Sequence, residues 1–389
     1  MTNVVVKWGQ FITLVDLTTL ILTIVAIVVF HIFVQWFCHT QLKRPPGPFP
    51  IWPLVGNLFL LGKIPHQDLY KLSKTYGDIM ELKLGSVHVV IISSPQMAEH
   101  VLKTHDHLLA YRPKAIISHS ISYGGFTMAF SSQGDYWRRL RMIHASELLN
   151  AKSLRASKNV RDEEISSLIH DYFQDCKEEK PMDIYTRSRN ASLNVMTRLL
   201  FGKRYLGSGL SIKECEEFSD IINEETSILG VFNISDFVPL LKPFDLQGVI
   251  PRLNNIRLKV DQFFDKIIQN HSREESSNCS KDFLDVMFSF VESYGFGKKH
   301  GDNVIKAVIN EILEGSTDTS ITAIEWALAE LLKHPKLLHS FTWKLPKGEN
   351  PQDMDMGEVF GMTTRKAIPL RAIAIPRLPQ HLYLAPQFT

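Results

Sequence analysis

The sequence predicts a mainly α-helical protein with small β-sheets, set behind an N-terminal transmembrane helix. Three observations lead there: one long apolar run near the N-terminus, helical spacing of apolar residues through most of the chain, and one hairpin signal. The 389 residues are enough to bury a sizeable core. Apolar residues make up 44% and charged residues 22%, the balance of a globular protein. A formal net charge of +2 leaves no nucleic-acid footprint, so no nucleic-acid partner is expected. The four cysteines, Cys38, Cys176, Cys215 and Cys279, form no C-x-x-C pair, which argues against zinc or dithiol chemistry. Their wide spacing also argues against a disulfide scaffold and fits a reducing compartment.

The apolar run is Leu17 to Val34, eighteen residues without Asp, Glu, Lys or Arg. That length meets the threshold for a spanning helix, and Trp36 and Phe37 are suited to the interface. A cleaved signal peptide is the alternative, and no small-residue cleavage pattern follows the run. Lys43 and Arg44 just downstream favour a cytosolic main body, with Lys7 weighing the other way. Residues 1–42 are therefore expected to form a membrane anchor. Lys43 to Asn57 carries five prolines, which remove N–H donors and fix φ, so residues 43–57 read as a stiff extended hinge.

Asp78 to Ser93 holds two β-rich runs around Gly85-Ser86, a two-residue hairpin signal. Ser94-Pro95 supplies an N-cap and an N1 proline for a short helix beginning at Gln96. Helical spacing then recurs in Ile165, Leu168, Ile169, Tyr172 and Phe173, and again in Val260, Phe263, Phe264, Ile267 and Ile268. Glu274 to Lys281 reads as a polar loop. Asn303 to His334 is one long helical pattern, about 48 Å at 1.5 Å per residue, ended by Pro335. Gly315 to Ser320 places six poor helix formers in its middle. Either an exposed kink or a distortion that frees backbone and hydroxyl groups for a ligand would account for them. Beyond Pro335 the only clear strand-like stretch is Ile368 to Pro376.

Trp137 and Arg141 stand four apart, on one helical face. Indole N–H and guanidinium are donors suited to a carboxylate, although by residue type alone the pair reads first as a surface aromatic–arginine contact. Asp318 and Thr319 put a carboxylate and a hydroxyl in the long helix.

In order along the chain, several segments resemble the plant microsomal cytochrome P-450 enzymes. Pro45-Pro46-Gly47-Pro48 after the apolar run is similar to the family's anchor and hinge. Tyr76 to Met80 is similar to the start of its first sheet, and Tyr111-Arg112-Pro113 to the step into its first substrate-recognition loop. Gly134 to Arg141 resembles the W-x-x-x-R helix that meets a heme propionate. Gly315 to Ser320 resembles the oxygen-activation motif [AG]-G-x-[DE]-T-[TS], with Ser316 in place of a glycine. Phe341 to Pro346, through to Leu370, resembles the C-terminal tail.

The resemblance implies a cytochrome P-450 fold and an NADPH- and O2-dependent hydroxylase of a small lipophilic plant metabolite at the endoplasmic reticulum membrane. It implies heme b held at Trp137 and Arg141, with Asp318 and Thr319 delivering protons for oxygen activation. Ile121, Phe126 and Gly315 are then expected to line the substrate pocket. Electrons would come from NADPH through NADPH–cytochrome P-450 reductase. Arg138, Arg139 and Arg155 suit that acidic partner, and equally suit a solvated helix face.

One part of the family pattern is missing. No E-x-x-R occurs in the chain, and no cysteine follows Cys279 to serve as axial ligand. Residues 58–336 match the domain through the long helix, and residues 337–389 match its tail. The join near Lys336-Leu337 reads as an internal deletion that leaves the enzyme fold incomplete and the chain inactive. It is also expected to uncover some of Ile305, Ile309, Ile312, Ile324 and Leu328. The alternative role is a non-catalytic, membrane-anchored protein that binds a partner.

Overall fold

A computed structural model describes residues 18–23, 25–30, 33–34, 37, 44–49, 51–52, 54–178, 180–206, 212–274, 282–333, 341–346, 349–361 and 363–376. The chain divides into two compact units. One comprises Met1–Leu109 with Ile234–Leu246, the other Ala110–Asn233 with Gln247–Thr389.

In the first unit the expected hairpin forms. Strands β1 (Ile79–Leu84) and β2 (Val87–Ile92) pair antiparallel, Leu84 opposite Val87. Alternation buries Met80, Leu82 and Leu84 on one face. Gly85 begins the turn at φ +59°, where a Cβ would lie 2.2 Å from the Phe237 carbonyl oxygen, so only glycine fits. The Ser86 amide donates to that same oxygen at 2.7 Å. Helix α1 (Pro65–Tyr76) precedes the hairpin, and α2 (Pro95–Glu99) follows it with the expected cap, Ser94 Oγ accepting from the Met97 amide. In the expected anchor, residues 18–23, 25–30, 33–34 and 37 are helical, and the rest of 1–42 lies outside the described residues. Among the described residues no helix is long and apolar enough to cross a membrane, so the structure does not show the expected transmembrane helix.

The second unit is helical. Its elements used below are α3 (Ile116–Ile121), α4 (Asp135–Ile143), α5 (Lys158–Lys177), α6 (Ile184–Phe201), α7 (Ile212–Leu229), α8 (Val249–Glu274), α9 (Phe283–Tyr294) and α10 (Lys298–Lys333). The periodic residues 165–173 fall on α5 and 260–268 on α8. Helix α10 packs chiefly on α6, and also on α9. It is buried on nearly every face from Val304 to Asn310, which is why its apolar period is so weak in the sequence. Residues 275–281, most of the expected polar loop, lie outside the described residues.

Helix α10 stays α-helical through Gly315 to Ser320, so the distortion expected to free backbone and hydroxyl groups is not seen. The hydroxyls of Ser316, Thr317 and Thr319 donate back to the carbonyls of Ile312, Leu313 and Gly315 at 2.6, 2.6 and 2.8 Å. They are spent on the helix itself.

After α10, the tail folds onto the same unit. Strand β7 (Arg371–Pro376) lies between β3 (Met182–Asp183) and β4 (Phe341–Lys344), antiparallel to both. The short strands β5 (Glu358–Val359) and β6 (Arg365–Lys366) form a separate pair. Leu370, Ala372 and Ala374 join Tyr172, Phe173, Ile184, Ala329 and Leu332 in a small second core. The expected exposure along α10 is largely corrected: Ile305 and Ile309 are buried in the main core, Ile312 and Leu328 are half-buried, and only Ile324 among the five is exposed. The proposed junction near Lys336-Leu337 lies outside the described residues.

Candidate functional site

The second unit encloses a cavity of about 470 Å³. Its walls come from α3, the loop 127–130, the helical turn His144–Leu148 with Leu149, α7, the middle of α10, and Thr363 of the tail. Most of the lining is apolar, from Ile121, Phe130, Leu149, Leu229, Ala307 and Ile312. The polar groups are concentrated on one stripe of α10: Asn310, Glu311, Glu314 and Asp318. Residues 310, 314 and 318 are spaced i, i+4, i+8, so one helical face carries all three.

Each polar group has its own environment. Glu311 accepts the Met128 and Ala129 amides at 2.7 and 2.6 Å, and burial still holds its carboxyl above the usual range. Asn310 donates Nδ2 to Glu225 Oε1 of α7 at 3.0 Å. Burial raises the Glu225 carboxyl, and burial together with the nearby Glu225 charge raises Glu314. Two such carboxyls, lacking a cation between them, settle by retaining a proton. His144 directs Nδ1 at the Leu140 carbonyl, 2.8 Å away, and burial lowers its pKa. The ring is therefore neutral near pH 7, with Nε2 as an acceptor.

Asp318 is only 4% exposed and fully engaged. It accepts from Tyr185 of α6 at 2.5 Å and from Thr363, and it pairs with Arg365. Arg365 also lies over the Tyr185 ring, 4.9 Å from its centroid. The tail thus closes on the carboxylate expected to deliver protons. Thr319 lines the cavity, with its hydroxyl returned to its own helix.

The other expected residues are placed as follows. Ile121 and Gly315 line the cavity, on α3 and α10. Phe126 does not: its ring sits among Tyr136, Phe296 and His300, at 5.9, 5.9 and 4.9 Å between centroids. Trp137 donates its indole N–H to the Met128 carbonyl at 3.1 Å, and Arg141 stacks over the Trp137 ring at 5.1 Å. The residues missed by sequence reasoning are Asn310, Glu311, Glu314 and His144 in the cavity, Glu225 as the partner of Asn310, and Tyr185, Thr363 and Arg365 around Asp318. A signal existed for two of them, since Asn310 and Glu314 continue the Asp318 stripe at four-residue spacing.

The residues present do not fit the heme implied by the resemblance. The Trp137 donor is committed to backbone, and Arg141 lies exposed over that indole. The cavity offers carboxyl groups and no Lys or Arg to receive heme propionates. Among the residues with described side chains, the free cysteine is Cys176. It lies on α5 away from the cavity, and burial and Asp175 raise its thiol pKa, the reverse of what a thiolate ligand needs. One potential metal trio, His271, Asp282 and Asp285, brings its ligand atoms within 4.8 Å of one another. Asp282 and Asp285 already form the capping box of α9, and His271 bonds Asp285 at 2.8 Å.

Comparison with known proteins places this geometry. The sequence profile of the family described as Cytochrome P-450 matches residues 45–340. The chain is 35% identical over 302 residues to a cytochrome P-450 of Panax ginseng, covering 76% of this chain and 59% of that protein. It is 37% identical to a flavonoid 3',5'-hydroxylase of Crocosmia x crocosmiiflora, over 76% of this chain and 58% of the other. It is 33% identical to a flavonoid 3'-monooxygenase of Arabidopsis thaliana, over 83% and 63%. The chain therefore spans about 60% of the length of these curated relatives. A structure of a zebra fish cytochrome P-450 with progesterone shares the fold at a TM-score of 0.54 and 21% identity, over 70% of this chain and 61% of that one. Matched through more than half its residues, mainly helical with small antiparallel sheets, and similar over 76–83% of its length to these plant proteins, the chain belongs to the cytochrome P-450 family.

Proposed function

We propose that this chain derives from an NADPH- and O2-dependent hydroxylase of a small lipophilic plant metabolite, and that in its present form it holds such a molecule without oxygenating it. Members of the family carry heme and draw electrons from NADPH through a reductase. The observation that carries the reading is the state of α10. Its middle lines a mainly apolar cavity, while Asp318 is held by Tyr185, Thr363 and Arg365. The absence of any cysteine after Cys279 supports it, because the axial ligand has no source in the segment where the family places it. An internal deletion near Lys336-Leu337 accounts for both the missing motifs and the tail that follows α10. The apolar run Leu17 to Val34 supports a single-pass anchor in the endoplasmic reticulum membrane, with the body in the cytosol.

The test is spectroscopic. The full chain is expressed in microsomes with added heme precursor, reduced, and exposed to carbon monoxide. No thiolate-type Soret band is expected, and no hydroxylation when reductase and NADPH are supplied. A thiolate-type band in proportion to the protein would overturn the inactive reading. Sequencing the transcript across the codons for Lys336 and Leu337 tests the deletion directly.

A further inference from the structure

The hairpin of β1 and β2 has two edges, and one of them is covered. On the β1 side, the Glu81 amide donates to the Pro46 carbonyl at 2.9 Å, and the Lys83 amide to Asn57 Oδ1 at 2.9 Å. The Lys83 carbonyl accepts from the Asn57 amide at 2.5 Å. Glu81 and Lys83 thus turn their backbone groups away from β2. Hydrogen-bonded and non-hydrogen-bonded pairs alternate along an antiparallel ladder, so their partners, Val90 and His88, turn theirs away from β1. Ile92, two residues on, does the same. Among the described residues no strand lies beyond β2, and the outward backbone groups of His88, Val90 and Ile92 have no backbone partner. His88 keeps 45% of its side chain in solvent and Val90 is 51% exposed, so the edge can be reached. An open edge is ordinarily blunted by charge, proline or a bulge. Strand β2, Val-His-Val-Val-Ile-Ile, has none of these, and every residue but His88 is β-branched.

We propose that the free edge of β2 is the docking surface for a second copy of this chain, two hairpins joining antiparallel through Val90 into one four-stranded sheet. Symmetry favours this occupant. A two-fold axis through Val90 sets Val90 opposite Val90 and His88 opposite Ile92, and all of these positions carry outward backbone groups. The three side chains also share one face, opposite to the face of Met80, Leu82 and Leu84. Charge favours it as well. Strand β2 has no Asp, Glu, Lys or Arg, so an identical strand brings no like charges into register. Glu81, on the neighbouring strand, is already met by Arg44 and His88 of its own chain. The covered β1 edge leaves each hairpin one open side, so the assembly closes at two copies and does not grow into a ladder.

Sedimentation velocity of the detergent-solubilised full chain reads the assembly. The parent is expected as a monomer–dimer equilibrium without larger species. Val90→Lys sets two like charges opposite each other at the axis and should weaken the dimer at least about tenfold. Val90→Thr keeps a neutral, β-branched strand former and should dimerise within about threefold of the parent. Oxidative cross-linking tests the register. Val90→Cys brings two Cα atoms to about 5.5 Å, within disulfide reach, and should link. His88→Cys, four residues out of register with its own copy, should not. Mass spectrometry of the joined peptides separates these links from any made by the native cysteines, and decides the question even where Val90→Lys does not fold. A dimer unmoved by Val90→Lys, open-ended oligomers, or no link at position 90 would each overturn the proposal. A monomeric parent would overturn it too, and would leave the edge to an extended segment of a different protein.

Discussion

Replacing Arg365 by alanine tests whether Asp318 is a structural carboxylate here. In the native chain its buried carboxylate meets one cation and two hydroxyls, from Arg365, Tyr185 and Thr363. Arg365→Ala leaves a charge that is 4% exposed with neutral donors only. Removing one member of a buried ion pair costs about 3–5 kcal/mol, because the remaining charge stays desolvated. Two features place this case at the lower end. Arg365 keeps 29% of its side chain in solvent. Arg189, buried on α6, leaves a second positive charge acting on the same carboxylate. Loss of the contact over the Tyr185 ring adds about 0.5 kcal/mol. A total near 3 kcal/mol lowers the melting temperature of a domain of this size by about 6–12 °C. Circular dichroism of the detergent-solubilised chain reads that shift. Combining Arg365→Met with Asp318→Asn removes both charges, and should recover at least about half of the loss. Two results contradict the reasoning: a single variant that melts within about 1 °C of the parent, or a double variant no better than the single.

Two more predictions follow from the cavity and the hairpin. Burial raises the Glu225 and Glu314 carboxyls above the ordinary 4.5, so the folded state keeps a proton that the unfolded chain has released. Stability should therefore fall as pH climbs from that value through the raised range, by up to about 1.4 kcal/mol per pH unit. Urea unfolding at pH 6.5 and 8.5 should show this slope, and Glu314→Gln should flatten it; a parent and variant with parallel pH profiles would exclude the pair as the source. His144 acts on the acid side, where protonation of its buried ring removes stability, so this window avoids it. Gly85→Ala should cost at least about 2 kcal/mol, from the left-handed backbone plus a Cβ driven onto the Phe237 carbonyl. Gly202→Ala, also left-handed at φ +66° but with open space around it, is the control and should cost less in the same unfolding assay.

What the sequence made legible follows from which forces are local. The hairpin was readable because Gly85-Ser86 and the alternation of Met80, Leu82 and Leu84 are set within a dozen residues. Helix α10 was readable from its length and from Pro335, and the family motifs located its centre. Its continuity through Gly315 to Ser320 was not. Gly315 to Ser320 are poor helix formers in isolation, and the back-donation of three hydroxyls that accommodates them is invisible to propensity. The surroundings of Asp318 were also hidden, because Thr363 and Arg365 approach from 45 and 47 positions away. Phe126 was placed in the pocket by position along its loop, whereas its ring gains more from Tyr136 and Phe296. Asn310 and Glu314 stand eight and four positions before Asp318, a spacing visible in the sequence, and lie outside the family motif Gly315 to Ser320.

The position of β7 between β3 and β4 bears on how the chain is made. Met182 pairs with Ala372, so the central strand of this sheet meets its partner only after some 190 further residues have been synthesised. Until the ribosome has released that stretch, the edge of β3, the end of α10 and the carboxylate of Asp318 all wait for segments not yet present. Pairings this distant in sequence form late and leave adhesive surface uncovered in the meantime. Arg371 to Pro376 are the six residues that complete this sheet, pairing with both β3 and β4. A nascent chain halted just before them would carry nearly every helix of its second unit and still have an open seam for chaperones to bind.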